Sequence, residues 1–96
     1  MATGEGTLKV QKITVGDTPT FLTGSGSSVN YREYLSIFNN SAITVFVGSS
    51  NVATGSGYPI PAAFEKDFPR GATPPFTTFY GIVANGATAD VRVMEI

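Results

Sequence analysis

"YREYLSIFNNSAITVFVG", residues 31–48, holds two short apolar alternations around a cluster of turn residues. In an extended chain Leu35 and Ile37 fall on one face, with Tyr34 and Phe38 on the other. Ile43, Val45 and Val47 then alternate with Thr44 and Phe46. Period two marks a half-buried strand. "NNSA" stands between the two runs, and Asn tolerates left-handed backbone and hydrogen-bonds its own turn. The expectation is strand, hairpin turn and return strand, with Asn39, Asn40 and Gly48 shaping the hairpin and its exit.

The same period recurs on both sides, and no stretch carries apolar residues at helical spacing over several turns. "TLKVQKITV" alternates through Leu8 and Val10, then slips at Gln11 and Lys12 before Ile13 and Val15, which predicts a bulge or two short strands. "PTFLT" follows the turn "GDTP" as a short strand, and "TGSGSSVN" (23–30) has loop composition. Residues 48–62 read as a long uncharged loop that Pro59 and Pro61 keep extended. In "AFEKDF" Phe64, Lys66 and Phe68 oppose Glu65 and Asp67, a mixed pattern expected at a sheet edge. "FTTFYGIVA" and "ADVRVMEI" are the last two strands. Asn85-Gly86 between them is a strong hairpin signal, with Val91 and Val93 inward and Arg92 outward. Many short strands with closely spaced turns make an all-β chain, a single antiparallel β-sandwich of jelly-roll-like type. Its expected core is Val15, Leu22, Leu35, Ile37, Val45, Val47, Ile60, Ile82, Val91 and Val93.

Ninety-six residues make one domain. Only 14% are charged, against about 25% in ordinary soluble domains. Part of the surface is therefore neutral, as surfaces that meet another protein often are. The net charge of −1, with Lys9, Lys12, Arg32, Lys66, Arg70 and Arg92 scattered, argues against nucleic acid as a partner. No apolar run reaches the ~18 residues of a membrane span, and "MATGEGTLKV" has no signal-peptide core. Synthesis in a cytoplasm is expected.

Chemistry is scarce. The chain has no His and no Cys, which removes the commonest general base, the thiol nucleophile and the usual transition-metal ligands. Glu65 and Asp67 share a strand face, but solvated edge charge explains them better than an acid/base pair across a cleft. No calcium-loop or phosphate-loop pattern occurs. The expectation is no enzyme, no cofactor and no metal. Tyr31, Tyr34, Tyr58, Phe76, Phe79 and Tyr80 suit a core or subunit interface, or stacking on sugars. "FPRGATPPF" (68–76), with Phe68, Arg70, Pro74, Pro75 and Phe76, is either a contact loop or an ordinary connection.

Together "ITVGDTPTFL", "YREYLSIFNNSAITVFVGSSNVATGSGYPIP" and "FYGIVANGATADVRVMEI" resemble a β-sandwich domain of tailed-bacteriophage virion proteins. The matching positions are residues 13–16, Arg32, Leu35, Ile37, and residues 39–41, 45–48, 51–59 and 89–95, so the resemblance covers 13–96. It implies a structural protein of the virion, made in the host cytoplasm and placed on the capsid surface. The specific expectation is a capsid decoration (cement) protein that bridges adjacent major capsid subunits and forms a trimer or dimer with itself. A head-fibre, connector or tail component is the alternative in that setting. A glycan-binding adhesion module is the alternative of another class. Arg32 is expected to pin the following loop through backbone carbonyls, or to be a solvated edge residue. Residues 1–12, with Leu8 and Val10, lie outside the pattern as an arm that adds a strand to a neighbour's sheet or as the first strand of the domain itself. The proline-rich stretch before the last strand pair departs from the pattern, so a specific partner contact is expected there.

Overall fold

The computed structural model describes residues 9–23, 34–69 and 78–95. They form eight strands: β1 (Lys9–Val15), β2 (Thr20–Thr23), β3 (Tyr34–Asn39), β4 (Val45–Gly48), β5 (Tyr58–Ile60), β6 (Glu65–Pro69), β7 (Phe79–Ile82) and β8 (Ala89–Glu95). Sheet one has the order β1-β8-β3-β6 and sheet two the order β2-β7-β4-β5, with every neighbouring pair antiparallel. Two four-stranded sheets in these orders are the jelly-roll form of the β-sandwich. The inward residues of both sheets make one core of Val15, Leu22, Leu35, Ile37, Val45, Val47, Ile60, Phe79, Val83, Ala89, Val91 and Val93. All ten residues expected in the core are buried, none above 8% exposed, but Ile82 is buried on the outer face of sheet two, opposite Phe46, and not in the core between the sheets.

Four local expectations are corrected. The "NNSA" turn does not close a hairpin: β3 lies in sheet one and β4 in sheet two, so the turn crosses between layers. Asn39 explains why. It continues the inward parity of Leu35 and Ile37, is fully buried, and reaches across the sandwich. Its Nδ2 donates to the carbonyls of Ile43 (2.6 Å) and Ile60 (2.8 Å), both belonging to the sheet-two side, while Oδ1 accepts from Ser41 Oγ (2.6 Å). Its backbone N–H donates to Phe64 O (2.9 Å) and its carbonyl accepts from Ala63 N (3.0 Å).

Asn85-Gly86 likewise joins β7 of sheet two to β8 of sheet one. A two-residue hairpin of the favoured type needs positive φ at both central residues. Here only Gly86 has it (φ 82°), while Ala87 N donates to Ala84 O at 3.0 Å, as in a type II turn.

β1 runs without a bulge, in unbroken register from Lys9↔Glu95 to Val15↔Ala89. The pleat therefore carries Val10 outward with Lys12 and Thr14. The irregularity lies in β2, between Phe21 and Thr23, and it turns both Leu22 and Thr23 inward.

The expected loop 48–62 contains a strand, β5, so β4 and β5 form a hairpin with a folded connection. Pro59 is tolerated because β5 is an edge strand. β6 is the edge strand that its mixed pattern predicts.

Candidate functional site

The topology separates charge from neutral surface. β2 (TFLT), β4 (VFVG), β5 (YPI) and β7 (FYGI) contain no charged residue, so sheet two has none. All described charged residues except Asp17 lie on sheet one. The outer face of sheet two carries Phe21, Tyr80, Phe46, Ile82 and Pro59. Phe21 is 49% exposed and meets Tyr80 edge-to-face, centroids 5.8 Å apart.

The uncharged connection 49–57 is folded onto this face. Val52 N donates to Ser49 O (3.0 Å), and Gly57 N donates to Ala53 O (2.8 Å). Val52, the connection's one large apolar side chain, is only 6% exposed. Its seat exists because two neighbours lack a Cβ. A Cβ on Gly57 would stand 2.7 Å from Phe46 Cβ and 2.8 Å from Val52 Cγ2, and one on Gly48 would stand 3.0 Å from Val52 Cγ2. Gly48 thus makes room for Val52.

One side of the sandwich is closed by Tyr58 of β5 and Lys66 of β6. The Lys66 ammonium lies 5.4 Å from the Tyr58 ring centroid and 5.8 Å from that of Phe68. Cations over aromatic faces are attracted by the ring quadrupole. Phe68, expected in a contact loop, packs on Phe79 at 4.9 Å beside the core. Val10 is 61% exposed on the outer face of β1. Leu8, Arg32, Arg70, Pro74, Pro75 and Phe76, and the loop 24–30, lie outside the described residues.

The outer face of sheet one is polar. Arg92 donates to both carboxylate oxygens of Asp90, at 2.9 and 2.8 Å, and exposed Asn40 adds a bond from Nδ2 at 3.0 Å. Arg92, aided by Asn40 and the charge of Lys12, holds the Asp90 carboxyl down at about 2. At the other edge Ser36 Oγ donates to Asp67 at 2.9 Å, which lowers Asp67. Hydrogen bonding to Asp67, with its charge, raises both Glu65 and the Tyr34 phenol. Glu65 and Asp67 are thus neighbours along one exposed face rather than carboxylates facing across a cleft. Among the described residues no three His, Cys, Asp or Glu are grouped to hold a metal ion.

One buried acid went unread at the sequence level. Glu95 shares the parity of Val91 and Val93, so strand period alone places it inside. It is 1% exposed and accepts from Thr23 Oγ1 at 2.6 Å. Asn39 and Glu95 therefore bond across the layers at opposite ends of the sandwich.

No protein-family model, curated protein or solved structure matches the chain significantly. No helix among the described residues is long and apolar enough to cross a membrane.

Proposed function

We propose that this chain is a virion structural protein of a tailed phage, a capsid decoration protein that bridges adjacent major capsid subunits. The observation that carries the reading is the charge-free sheet two with its fitted connection. A face without charges is buried against a neighbour with no ion to desolvate. The buried seat of Val52 and the connection's own hydrogen bonds favour one shape, which lowers the ordering entropy lost on contact. Repetition over a closed shell multiplies a modest contact energy through avidity. The sequence resemblance over residues 13–96 supplies the virion setting, and jelly-roll sandwiches serve in viral capsids among other places. No step in this role needs a nucleophile, a metal or a cofactor. Quantitative mass spectrometry of purified particles tests it. A copy number that is a simple large fraction of the major capsid subunit is expected, whereas a few copies per particle place the chain in a head fibre, connector or tail.

A second reading, a glycan-binding adhesion module, draws on the exposure of Phe21 (49%) and Tyr58 (55%). Titration with a panel of oligosaccharides tests it, with loss of binding in Tyr58→Ala or Phe21→Ala as the expected result.

A further inference from the structure

The two outer edges of sheet one carry opposite charge, and one cross-strand row joins them. On the outer face the register runs Lys12↔Arg92, Arg92↔Phe38 and Phe38↔Glu65. The next row runs from Val10 through Met94 and Ser36 to Asp67. Among the described residues no strand lies beyond β1 or β6. β1 carries Lys9 and Lys12 and no acid, and β6 presents Glu65 and Asp67 outward. Arg92 is paired with Asp90 within β8, and Lys12 is the cation at the β1 end of this row. Lys66 leans inward over Tyr58 and Phe68, away from the two carboxylates' face.

We infer that a second copy of this chain docks head to tail, its β6 alongside β1, continuing sheet one. Three features support this contact. Each neighbouring pair in a four-stranded antiparallel sheet reverses direction, so β1 and β6 run oppositely and the new junction is antiparallel too. Laid in the same rows, Lys12 stands opposite Glu65 of the partner subunit and Val10 opposite Asp67 of the partner subunit, which Lys12 reaches on the diagonal. β1 is also the edge most open to pairing: β5 contains Pro59, β6 ends in Pro69 and β2 is broken by its bulge, whereas β1 keeps seven residues in register. Pairing of β1 with β1 or β6 with β6 sets like charges on facing edges, which disfavours a two-fold dimer through these strands. A head-to-tail contact builds a closed ring or an open array. This inference stands on the sheet alone and does not rest on the virion reading.

The test is sedimentation velocity of the purified full chain over a concentration series at low and high salt, with Lys12→Glu and Glu65→Lys. Both positions are exposed, and circular dichroism melts check that the variants fold. The wild type is expected to form larger species with concentration, less so at high salt. Each single reversal is expected to weaken association about tenfold or more. Mixing the two variants is expected to restore it, because each then offers the edge that the other lacks. Should one variant not fold, the other and the salt series still decide. A wild type that stays monomeric throughout overturns the inference. So does association indifferent to both reversals, which points to the neutral face of sheet two, or an effect of only one of the two reversals, which shows that Lys12 and Glu65 do not face each other across the contact.

Discussion

Replacing Asn39 by alanine probes the bond between the layers. The amide makes three side-chain hydrogen bonds, to Ile43 O at 2.6 Å, Ile60 O at 2.8 Å and from Ser41 Oγ at 2.6 Å, at a site with no solvent exposure. Each such bond contributes about 1 kcal/mol net, and a buried group left without its partner costs about 1–3 kcal/mol. With the Asn39 acceptor gone, the single Ser41 hydroxyl proton turns to Ile43 O, 3.1 Å away, so Ile60 O is the carbonyl that loses its side-chain donor. The expected loss is about 3 kcal/mol, a large share of the ~5–15 kcal/mol of a typical domain. At roughly 4–8 °C per kcal/mol for a chain of this size, Tm falls by about 12–24 °C. Urea unfolding followed by tyrosine fluorescence, in a chain with four Tyr and no Trp, and by circular dichroism measures it. Asn40→Ala is the control. Its amide makes an exposed bond to Asp90, so a change within about 0.5 kcal/mol is expected. If the two variants lose equal stability, the reasoning that Asn39 ties sheet one to sheet two is refuted.

The seat of Val52 gives a second set of variants: Val52→Ala is expected to cost roughly 1–2 kcal/mol of buried apolar contact, and Gly57→Ala about 1–3 kcal/mol of overpacking. Gly55→Ala, where a Cβ meets nothing within 4 Å, is expected to be neutral in the same unfolding assay. Ala63 adopts φ 64°, a conformation that costs a residue with a Cβ about 1–2 kcal/mol. After the entropy glycine loses, Ala63→Gly is expected to raise stability by about 0.5–1 kcal/mol, read as a higher urea midpoint. The Asp90 carboxyl is depressed to about 2 in the folded chain, so its contribution is full above the ordinary Asp range and fades as pH falls from about 4 toward 2. Asp90→Asn is therefore expected to be less stable than wild type at pH 7, with the difference narrowing in melts at pH 3 and below. Glu65 is raised by Asp67 and has the opposite sign, its contribution fading as pH rises through its folded value.

The alternation of Leu35, Ile37, Val45, Val47, Val91 and Val93 made strands and an inside face legible, because period two is a local property of the chain. It gave the all-β class and the expected core except Ile82, which is buried on the outer face of sheet two beside Phe46. The turns were legible only as turns. "NNSA" and Asn85-Gly86 carry hairpin chemistry, yet both cross between layers. Asn39 finds its partners at Ile60, far along the chain, and Gly86 alone takes positive φ. β5 was hidden because its two-fold pattern is three residues long and holds a proline, and it exists by pairing with β4. The same division governs the candidate surface. Each uncharged segment was visible by itself, as was the scarcity of charge. Strand pairing, which joins residues dozens of positions apart, collected the four uncharged strands into one sheet. It also placed Lys12 and Glu65 at the two ends of one row. Side-chain period is thus set by neighbours in sequence, whereas the side of the molecule that a charge occupies is set by which strands pair.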